Sequence, residues 1–209
     1  MKHEQEVKDL LIRNAIHLIA IGGFEKATTK ELTHNGGSLP DFRMNEVYIY
    51  RLFGSKENLY EQAFILLDRE LFSTFRAGAR AVGGFQEHTK EKLYDFFLLA
   101  WQFVSGNEER CRTYVRYYYS VYFKGHSKEA HSEIFADMVE RMTPLFAEGA
   151  DVVSILHSVF TAVLDFAIRV YNLDLEDNEP NRRHMFNVLY CMVATYLKSP
   201  ATSPKGGET

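Results

Sequence analysis

Glycine-marked breaks divide this chain of 209 residues into segments that each show the apolar spacing of an amphipathic helix. In the first segment the apolar residues recur at helical spacing, at Val7, Leu11, Ala15, Leu18 and Ile19. Gly22 and Gly23 then end the helix, because glycine suits helix ends better than helix interiors. We find no stretch that alternates apolar and polar residues as a half-buried strand would. We therefore expect an all-α protein.

Caps and prolines mark the ends of nine predicted helices. Thr28 suits the N-cap of the second helix, and Glu31 completes a capping box with it. Ser55 suits the N-cap of the fourth helix. Pro144 should shorten or bend the seventh helix, whereas Pro180 suits the first turn of the ninth. The approximate ranges are 7–22, 28–34, 45–53, 55–80, 87–104, 108–123, 127–146, 152–171 and 180–197.

The charge balance excludes a uniformly basic nucleic-acid-binding protein. Lys and Arg number 24 and Asp and Glu number 28, which gives a net charge of −4. Residues 61–209 hold sixteen basic and twenty acidic residues, whereas residues 43–56 hold three basic residues and one acidic residue. Any contact with nucleic acid must therefore come from a local patch of positive charge.

Cysteine usage and the apolar runs predict a cytoplasmic protein without membrane contact. Cys111 and Cys191 are too few for a disulfide framework and fit a reducing compartment. The first residues lack the pattern of a signal peptide. The richest uninterrupted apolar run, 96–101, is far shorter than the roughly 20 residues that cross a bilayer.

The eighth and ninth predicted helices carry more apolar surface than the core of one small protein needs. Apolar residues cover most of the circumference of the eighth helix, and the ninth repeats the pattern. Two such helices can pack against their symmetry mates as a four-helix bundle, which predicts a homodimer through the last two helices. The alternative is a buried pair of core helices in a monomer.

Two motifs follow the first helix in order. Residues 23–32 read GFEKATTKEL, and residues 49–59 read IYRLFGSKENL. Together they resemble the N-terminal domain of TetR-family transcriptional regulators. The resemblance implies a three-helix helix-turn-helix DNA-binding domain at residues 1–56. A six-helix effector-binding and dimerisation domain would follow at 57–199, and residues 200–209 have the composition of a disordered tail.

One segment departs from the family pattern. The stretch from Leu32 to Phe53 is about six residues longer than usual, and the extra residues fall within 35–44. A helix-turn-helix depends on a short turn that fixes the angle between its helices. The longer turn loosens this constraint unless it packs, for example through Leu39, Phe42 and Met44.

Candidate DNA contacts divide into two types, because phosphate contacts fix position and base contacts supply sequence preference. The candidates for phosphate are Thr28, Thr29, Tyr50 and Lys56, of which the Tyr and Lys match motif positions that commonly contact the backbone in the family. The candidates for bases are Asn45, Glu46 and Tyr48, with Arg43 or Arg51 adding charge. Alternatively, Thr28 and Ser55 are only helix caps, and Tyr50 is a core aromatic.

An aromatic-rich set in the predicted fifth to eighth helices is a candidate effector pocket. Ligand sites are usually apolar with a few placed polar groups, and Tyr hydroxyls or a Trp N–H can orient a small molecule. The same spacing is also typical of an ordinary core, and the family resemblance favours the pocket. The candidate residues are Phe97, Trp101, Tyr114, Tyr117, Tyr118, Met138, Met142 and Phe160, with Phe135 beside them.

Catalytic and metal motifs find little support in the sequence. It contains no G-x-S-x-G, HExxH, P-loop or G-x-G-x-x-G pattern, so we expect no enzyme and no cofactor. His126 and His131 are five residues apart, which does not place them on one helix face for a metal. Cys111 lies between Arg110 and Arg112, so its thiol is either a redox switch or, more simply, a structural core residue.

Two functions are compatible with these observations. The first is a ligand-responsive repressor that binds a palindromic operator on double-stranded DNA as a homodimer and is released by a small-molecule effector. The second is a dimeric small-molecule-binding or protein-interaction module that has lost DNA binding. The motif from Phe53 to Leu59 favours the first function, and the long turn at 35–44 favours the second.

Overall fold

The computed structural model describes residues 2–34, 44–84 and 89–198, and this part of the chain is all-α, as predicted. The one isolated antiparallel bridge in the described part pairs Phe146 with Leu197. The α-helices are α1 (Lys2–Lys26), α2 (Thr29–His34), α3 (Val47–Phe53), α4 (Lys56–Ala81), α5 (Lys90–Ser105), α6 (Glu108–Tyr118), α7 (Lys128–Met142), α8 (Val152–Tyr171) and α9 (Glu179–Val193). The predicted anchors Leu39 and Phe42 and the predicted tail at 200–209 lie outside the described residues.

The predicted caps and breaks account for most helix ends. The Thr28 hydroxyl accepts a hydrogen bond from the Glu31 backbone N–H at 3.2 Å, so Thr28 caps α2 as expected. α1 continues to Lys26, but its geometry breaks at Gly23, where φ is 73°. α7 ends at Met142, before Pro144, and Thr143–Leu145 forms a short 3-10 turn.

The helices form two compact units. The first unit takes the described residues of Met1–Ser73 and Phe103–Phe135, and the second takes those of Thr74–Gln102 and Ala136–Thr209. α4 therefore contributes its first part to one unit and its last part to the other. This division differs from the predicted functional boundary at residue 56, which stays a prediction because a compact unit need not be a functional domain.

In the first unit, α6 holds α1 in place through side chains that bond to its backbone. The Thr113 hydroxyl donates to the Ile16 carbonyl at 2.6 Å, and the Arg116 guanidinium donates to the Ile19 carbonyl. At the surface, the His17 imidazole lies 2.8 Å from the Glu109 carboxylate. The side-chain bonds to backbone oxygens fix the position of α1 along α6.

A buried carboxylate joins three helices of the first unit. Asp68 on α4 is fully buried and accepts a hydrogen bond from the Tyr114 hydroxyl on α6 at 2.7 Å. Both of its oxygens lie 3.1 Å from His131 Nδ1 on α7. Burial, and then the charge of Asp68, hold the pKa of Tyr114 well above its ordinary value. Because a buried charge is costly without partners, the three side chains depend on one another.

Within the second unit, buried residues of α5, α8 and α9 form the core. Phe97 on α5 packs against Phe186 on α9 with ring centroids 5.8 Å apart. The Trp101 indole N–H donates to the Asp177 carboxylate at 3.0 Å, and the Tyr94 hydroxyl donates to Glu179 at 2.8 Å. These bonds tie α5 to the start of α9 and to the acidic loop before it.

α8 is long and apolar enough to cross a membrane by length and composition, with a mean hydropathy of 1.6. The prediction from the sequence did not identify this helix as a possible membrane span, because it considered only uninterrupted apolar runs and polar residues interrupt α8. A core helix of a soluble protein passes the same test, and α8 buries Val152, Leu156, Phe160, Val163, Leu164 and Ala167 inside its own unit. The absence of membrane contact stays a prediction.

Cys111 has the environment of a structural thiol. Its side chain is buried in the first unit, and burial raises its pKa to about 12. The charge of Arg112 lowers the pKa, but this effect is smaller than that of burial. Because the thiolate is the reactive species, this burial favours the structural thiol over a redox switch at Cys111.

Replacing Asn14 with alanine should destabilise the first unit. The buried Asn14 amide donates to the Leu32 carbonyl at 2.8 Å and so satisfies a backbone oxygen in the last turn of α2. Loss of this bond leaves the carbonyl buried and unpaired, at a cost of about 1–3 kcal/mol. Thermal unfolding should show a lower midpoint for Asn14→Ala than for the matched control Gln62→Ala, whose residue is exposed on α4. Equal midpoints for the two variants would contradict this role.

Cys111 should resist alkylation in the native protein. Its raised pKa lowers the thiolate fraction at pH 8 by about a thousandfold relative to an ordinary cysteine. Mass spectrometry after iodoacetamide treatment of Cys191→Ser should show modification of Cys111 only when denaturant is added. Rapid labelling of Cys111 without denaturant would be inconsistent with this environment.

Candidate nucleic-acid interface and candidate ligand cavity

The connection from α3 to α4 is a closed turn built from three residues. Gly54 ends α3 with a φ of 79°, a conformation that favours glycine. The Ser55 hydroxyl accepts from the Asn58 backbone N–H at 3.0 Å, which caps α4 as predicted. The Asn58 side-chain amide then donates back to the Phe53 carbonyl at 2.9 Å. The end of α3 and the start of α4 are therefore fixed to each other.

α3 buries one face and exposes the other. Ile49 and Phe53 are buried, whereas Tyr50 is 55% exposed and Val47 is 66% exposed. The alternative that Tyr50 is a core aromatic is therefore wrong. Because the buried face and the closed turn hold α3 in place, its exposed face is presented in a fixed orientation.

Three cationic side chains on α1, α3 and α4 lie against aromatic rings. The Arg51 guanidinium lies 4.5 Å from the centroid of the Tyr48 ring on the same helix. The Lys56 ammonium lies 5.7 Å from the Tyr60 ring, and Lys8 of α1 lies 5.6 Å from the Phe53 ring. Such contacts orient a cation while its charge stays available to a ligand.

The remaining predicted contact residues have partners within the protein. The Thr29 hydroxyl donates to the Glu46 carboxylate at 2.5 Å, so a candidate phosphate contact and a candidate base contact bind each other. The Asn45 side-chain oxygen accepts from the Val47 backbone N–H at 3.1 Å, at the start of α3. Thr28 is exposed but caps α2. Arg43 lies outside the described residues.

Sequence reasoning missed two residues that position this surface, Asn58 and Tyr60. The Tyr60 hydroxyl donates to the Ala27 carbonyl in the connection between α1 and α2. Its ring also packs against Phe24, with centroids 5.2 Å apart. Burial raises the pKa of Tyr60, so its hydroxyl stays a donor. Asn58 lies inside the GSKEN motif, and the ability of its side-chain amide to donate to a carbonyl at the end of the preceding helix was the available signal.

A cavity of about 130 Å³ lies within the second unit. Residues of α4, α5, α7, α8 and α9 surround it, together with Leu145, Phe146 and Leu197. Its surface presents almost no nitrogen or oxygen atom. This composition suits an apolar ligand and offers no partner for a charged group.

Half of the predicted effector residues line this cavity. Those that do are Phe97, Met138, Met142 and Phe160. Trp101 lies in the same unit but bonds to Asp177, and Tyr114, Tyr117 and Tyr118 belong to the first unit. The predicted set is therefore not one pocket.

The tyrosines of the first unit are part of its core. The Tyr117 ring stacks on Phe64 with centroids 4.6 Å apart, and its hydroxyl lies 2.7 Å from the Ser127 hydroxyl. Burial raises the pKa of Tyr117 to about 12. Tyr114 is likewise buried and bonds to Asp68. Tyr114 and Tyr117 therefore fit the alternative that these aromatic residues belong to an ordinary core and not to a ligand pocket.

Within the described residues, no group of three or more His, Cys, Asp or Glu side chains could hold a metal ion. His131 pairs with Asp68 in the core, whereas His126 is exposed.

The surface of α8 is less apolar than the sequence predicted. Its exposed polar side is formed by Ser154, His157, Ser158, Asp165 and Arg169.

A partly exposed apolar surface nevertheless remains on α8 and α9. Ile155, Ala162 and Phe166 of α8 are half-buried. On α9, Val188 is 39% exposed and Met192 is 37% exposed. The two helices belong to the same unit. Because exposed apolar side chains often mark an interface, this surface is a candidate for contact with a second copy of the chain.

Comparison with solved structures identifies the fold. A TetR family transcription regulator from Marinobacter aquaeolei VT8 is similar with a TM-score of 0.70 at 12% identity, over 92% of this chain and 98% of that chain. A putative regulator of the same family from Shewanella sp. PV-4 has a TM-score of 0.71 at 15% identity, over 92% and 99% of the two chains. The chain therefore has the fold of TetR-family transcriptional regulators.

A third similar structure carries a bound small molecule. It is a putative transcriptional regulator from Saccharomonospora viridis in complex with choline, with a TM-score of 0.58 at 13% identity, over 93% of this chain and all of that chain. No protein-family profile matches the sequence, and no curated protein matches it either.

Proposed function

We propose that this protein is a cytoplasmic, ligand-responsive transcriptional repressor. It binds a palindromic operator as a homodimer, and a small-molecule effector releases it from DNA. The observation that carries the proposal is the exposed face of α3, fixed by the closed turn at Gly54–Asn58 and by the burial of Ile49. A helix held in this way can enter the major groove in a constant orientation.

The chemistry of this face suits DNA. The Tyr50 hydroxyl and the Lys56 ammonium can contact phosphate oxygens, and the Arg51 guanidinium can bind phosphate or a guanine edge. Thr28, Thr29, Asn45, Glu46, Tyr48 and Arg43 complete the proposed set of contacts. Two copies of the face in a dimer would double the small positive charge of the patch.

Coupling between the two activities would run through α4. This helix starts at the fixed turn after α3 and continues into the second unit, to which the ligand cavity belongs. A ligand that prefers one arrangement of the helices shifts the population toward it and changes the spacing of the two α3 helices in the dimer. Similar structures include one with bound choline, which supports a small-molecule effector for this fold.

One contact favours the second candidate function, a dimeric binding module without DNA binding. Glu46 pairs with Thr29 and so places a carboxylate beside a hydroxyl that the repressor would use for phosphate. A fixed carboxylate there repels phosphate. The two functions differ in whether any duplex binds, so selection from a randomised pool of duplexes at low salt separates them.

Replacing Lys56 with alanine should weaken binding to all duplexes about equally. One lost phosphate contact per subunit should lower the slope of log affinity against log salt by about 1 per subunit, with little change in sequence preference. Fluorescence anisotropy with the selected palindrome measures both quantities. The control is Lys128→Ala, an exposed lysine at the start of α7 that should leave binding unchanged. Failure of every duplex to bind the wild-type protein would refute the repressor.

Replacing Val188 with glutamate should dissociate the proposed dimer. A charge buried in an apolar interface is expensive, so the variant should sediment as a monomer at concentrations where the wild-type protein is a dimer. Leu66→Glu is the control, because Leu66 on α4 is 38% exposed and Val188 is 39% exposed. If both variants keep the wild-type sedimentation coefficient, the dimer does not form through α9.

A further inference from the structure

The cavity of the second unit has an unusually uniform surface. Six phenylalanines from α4, α5, α8, α9 and the segment after α7 contribute to its wall: Phe75, Phe96, Phe97, Phe146, Phe160 and Phe186. The remaining wall is aliphatic, sulfur-containing or part of the Tyr190 side chain, and almost no oxygen or nitrogen atom reaches the surface. A ligand here gains contact with carbon and sulfur and almost no hydrogen bonds.

Polar side chains near these helices bond to partners elsewhere in the unit. The Trp101 N–H donates to Asp177, and the Tyr94 hydroxyl donates to Glu179. The Arg183 guanidinium lies 3.4 Å from the centroid of the Tyr94 ring. The bond from Tyr94 is also the largest cause that lowers the pKa of Glu179. These carboxylates are thus engaged by donors, and none of them belongs to the cavity wall.

We infer that this cavity binds an uncharged, hydrocarbon-rich molecule of about the size of a single substituted benzene ring. An apolar cavity of roughly 150 Å³ in another protein stays dry and binds benzene, and this one measures about 130 Å³. Met138 and Met142 line it, and their flexible side chains can adapt to a substituent. A charged ligand would lose its hydration here without gaining a partner. The regulatory meaning of this site rests on the proposed function, but binding itself does not.

The aromatic cluster of the first unit is a poorer site for the same molecule. Its hydroxyls are paired in the core, Tyr114 with Asp68 and Tyr117 with Ser127. The rings pack directly on one another, as Phe64 does on Tyr117. The cavity of the second unit is therefore the better site for an apolar ring, and the inference depends on that cavity alone.

Calorimetric titration of the full-length protein with toluene, phenol, benzylammonium and benzoate tests the inference. These probes share one ring and differ in polarity. Toluene should bind and raise the thermal midpoint, phenol should bind about tenfold more weakly, and the two ions at least about a hundredfold more weakly. Absence of toluene binding, or tighter binding of either ion than of toluene, would overturn the inference.

Two variants locate the binding site. Ala100→Leu adds bulk to the cavity wall and should abolish toluene binding, whereas Ala77→Leu, on an exposed position of α4, should not. Met138→Ala widens the cavity and should shift the preference from toluene to propylbenzene at least about threefold. This gain of binding keeps the test valid if Ala100→Leu fails to fold. Unchanged toluene affinity in a folded Ala100→Leu, or an unchanged preference in Met138→Ala, would contradict the site.

The same samples separate this inference from the proposed function. If toluene binds with the expected preference but leaves the affinity for the selected palindrome unchanged, the cavity stands and its role as effector site fails. If the palindrome binds and toluene does not, the inference fails and the DNA-binding part of the proposed function stands.

Discussion

The hydrogen bond from the Asn58 amide to the Phe53 carbonyl is the constraint on which the candidate nucleic-acid interface depends. It closes the turn in which Gly54 adopts a positive φ and Ser55 caps α4. Without it, the short α3 would be held mainly by the packing of its buried face, since a seven-residue helix has little stability of its own. With it, the end of α3 and the start of α4 are held together, so a displacement of the start of α4 would be expected to move the exposed face that carries Tyr50. The turn is therefore both a structural joint and the place where sensing and DNA binding would meet.

Local signals in the sequence predicted much of the fold. The caps at Thr28 and Ser55, the break at Gly23 and the helix end before Pro144 each depend on a few neighbouring residues, and each is confirmed. The family resemblance added the fold as a whole, which the similar solved structures confirm. The exposed position of Tyr50 was left open because a seven-residue helix has too few apolar positions to define its buried face.

Long-range contacts could not be predicted, because helical spacing shows which residues share a face but not what that face meets. Tyr114 and Phe97 both looked like pocket residues, yet one bonds to Asp68 in the first unit and the other lines the cavity of the second. The pairing of Thr29 with Glu46 spans the segment at 35–43 and has no local signature. Cys111 shows the same limit, since its arginine neighbours are visible in the sequence, whereas its burial, which favours a structural thiol, is not.

The pairing of Phe146 with Leu197 has a consequence for the dynamics of the cavity wall. Both residues line the cavity, and two backbone hydrogen bonds of 2.8 Å hold their segments together, from Ala147 to Tyr196 and from Lys198 to Leu145. Because a short pairing of this kind is held by few contacts, it should open locally without unfolding of the helices around it. We expect a molecule bound in the cavity to contact both residues and therefore to slow the local opening of their pairing.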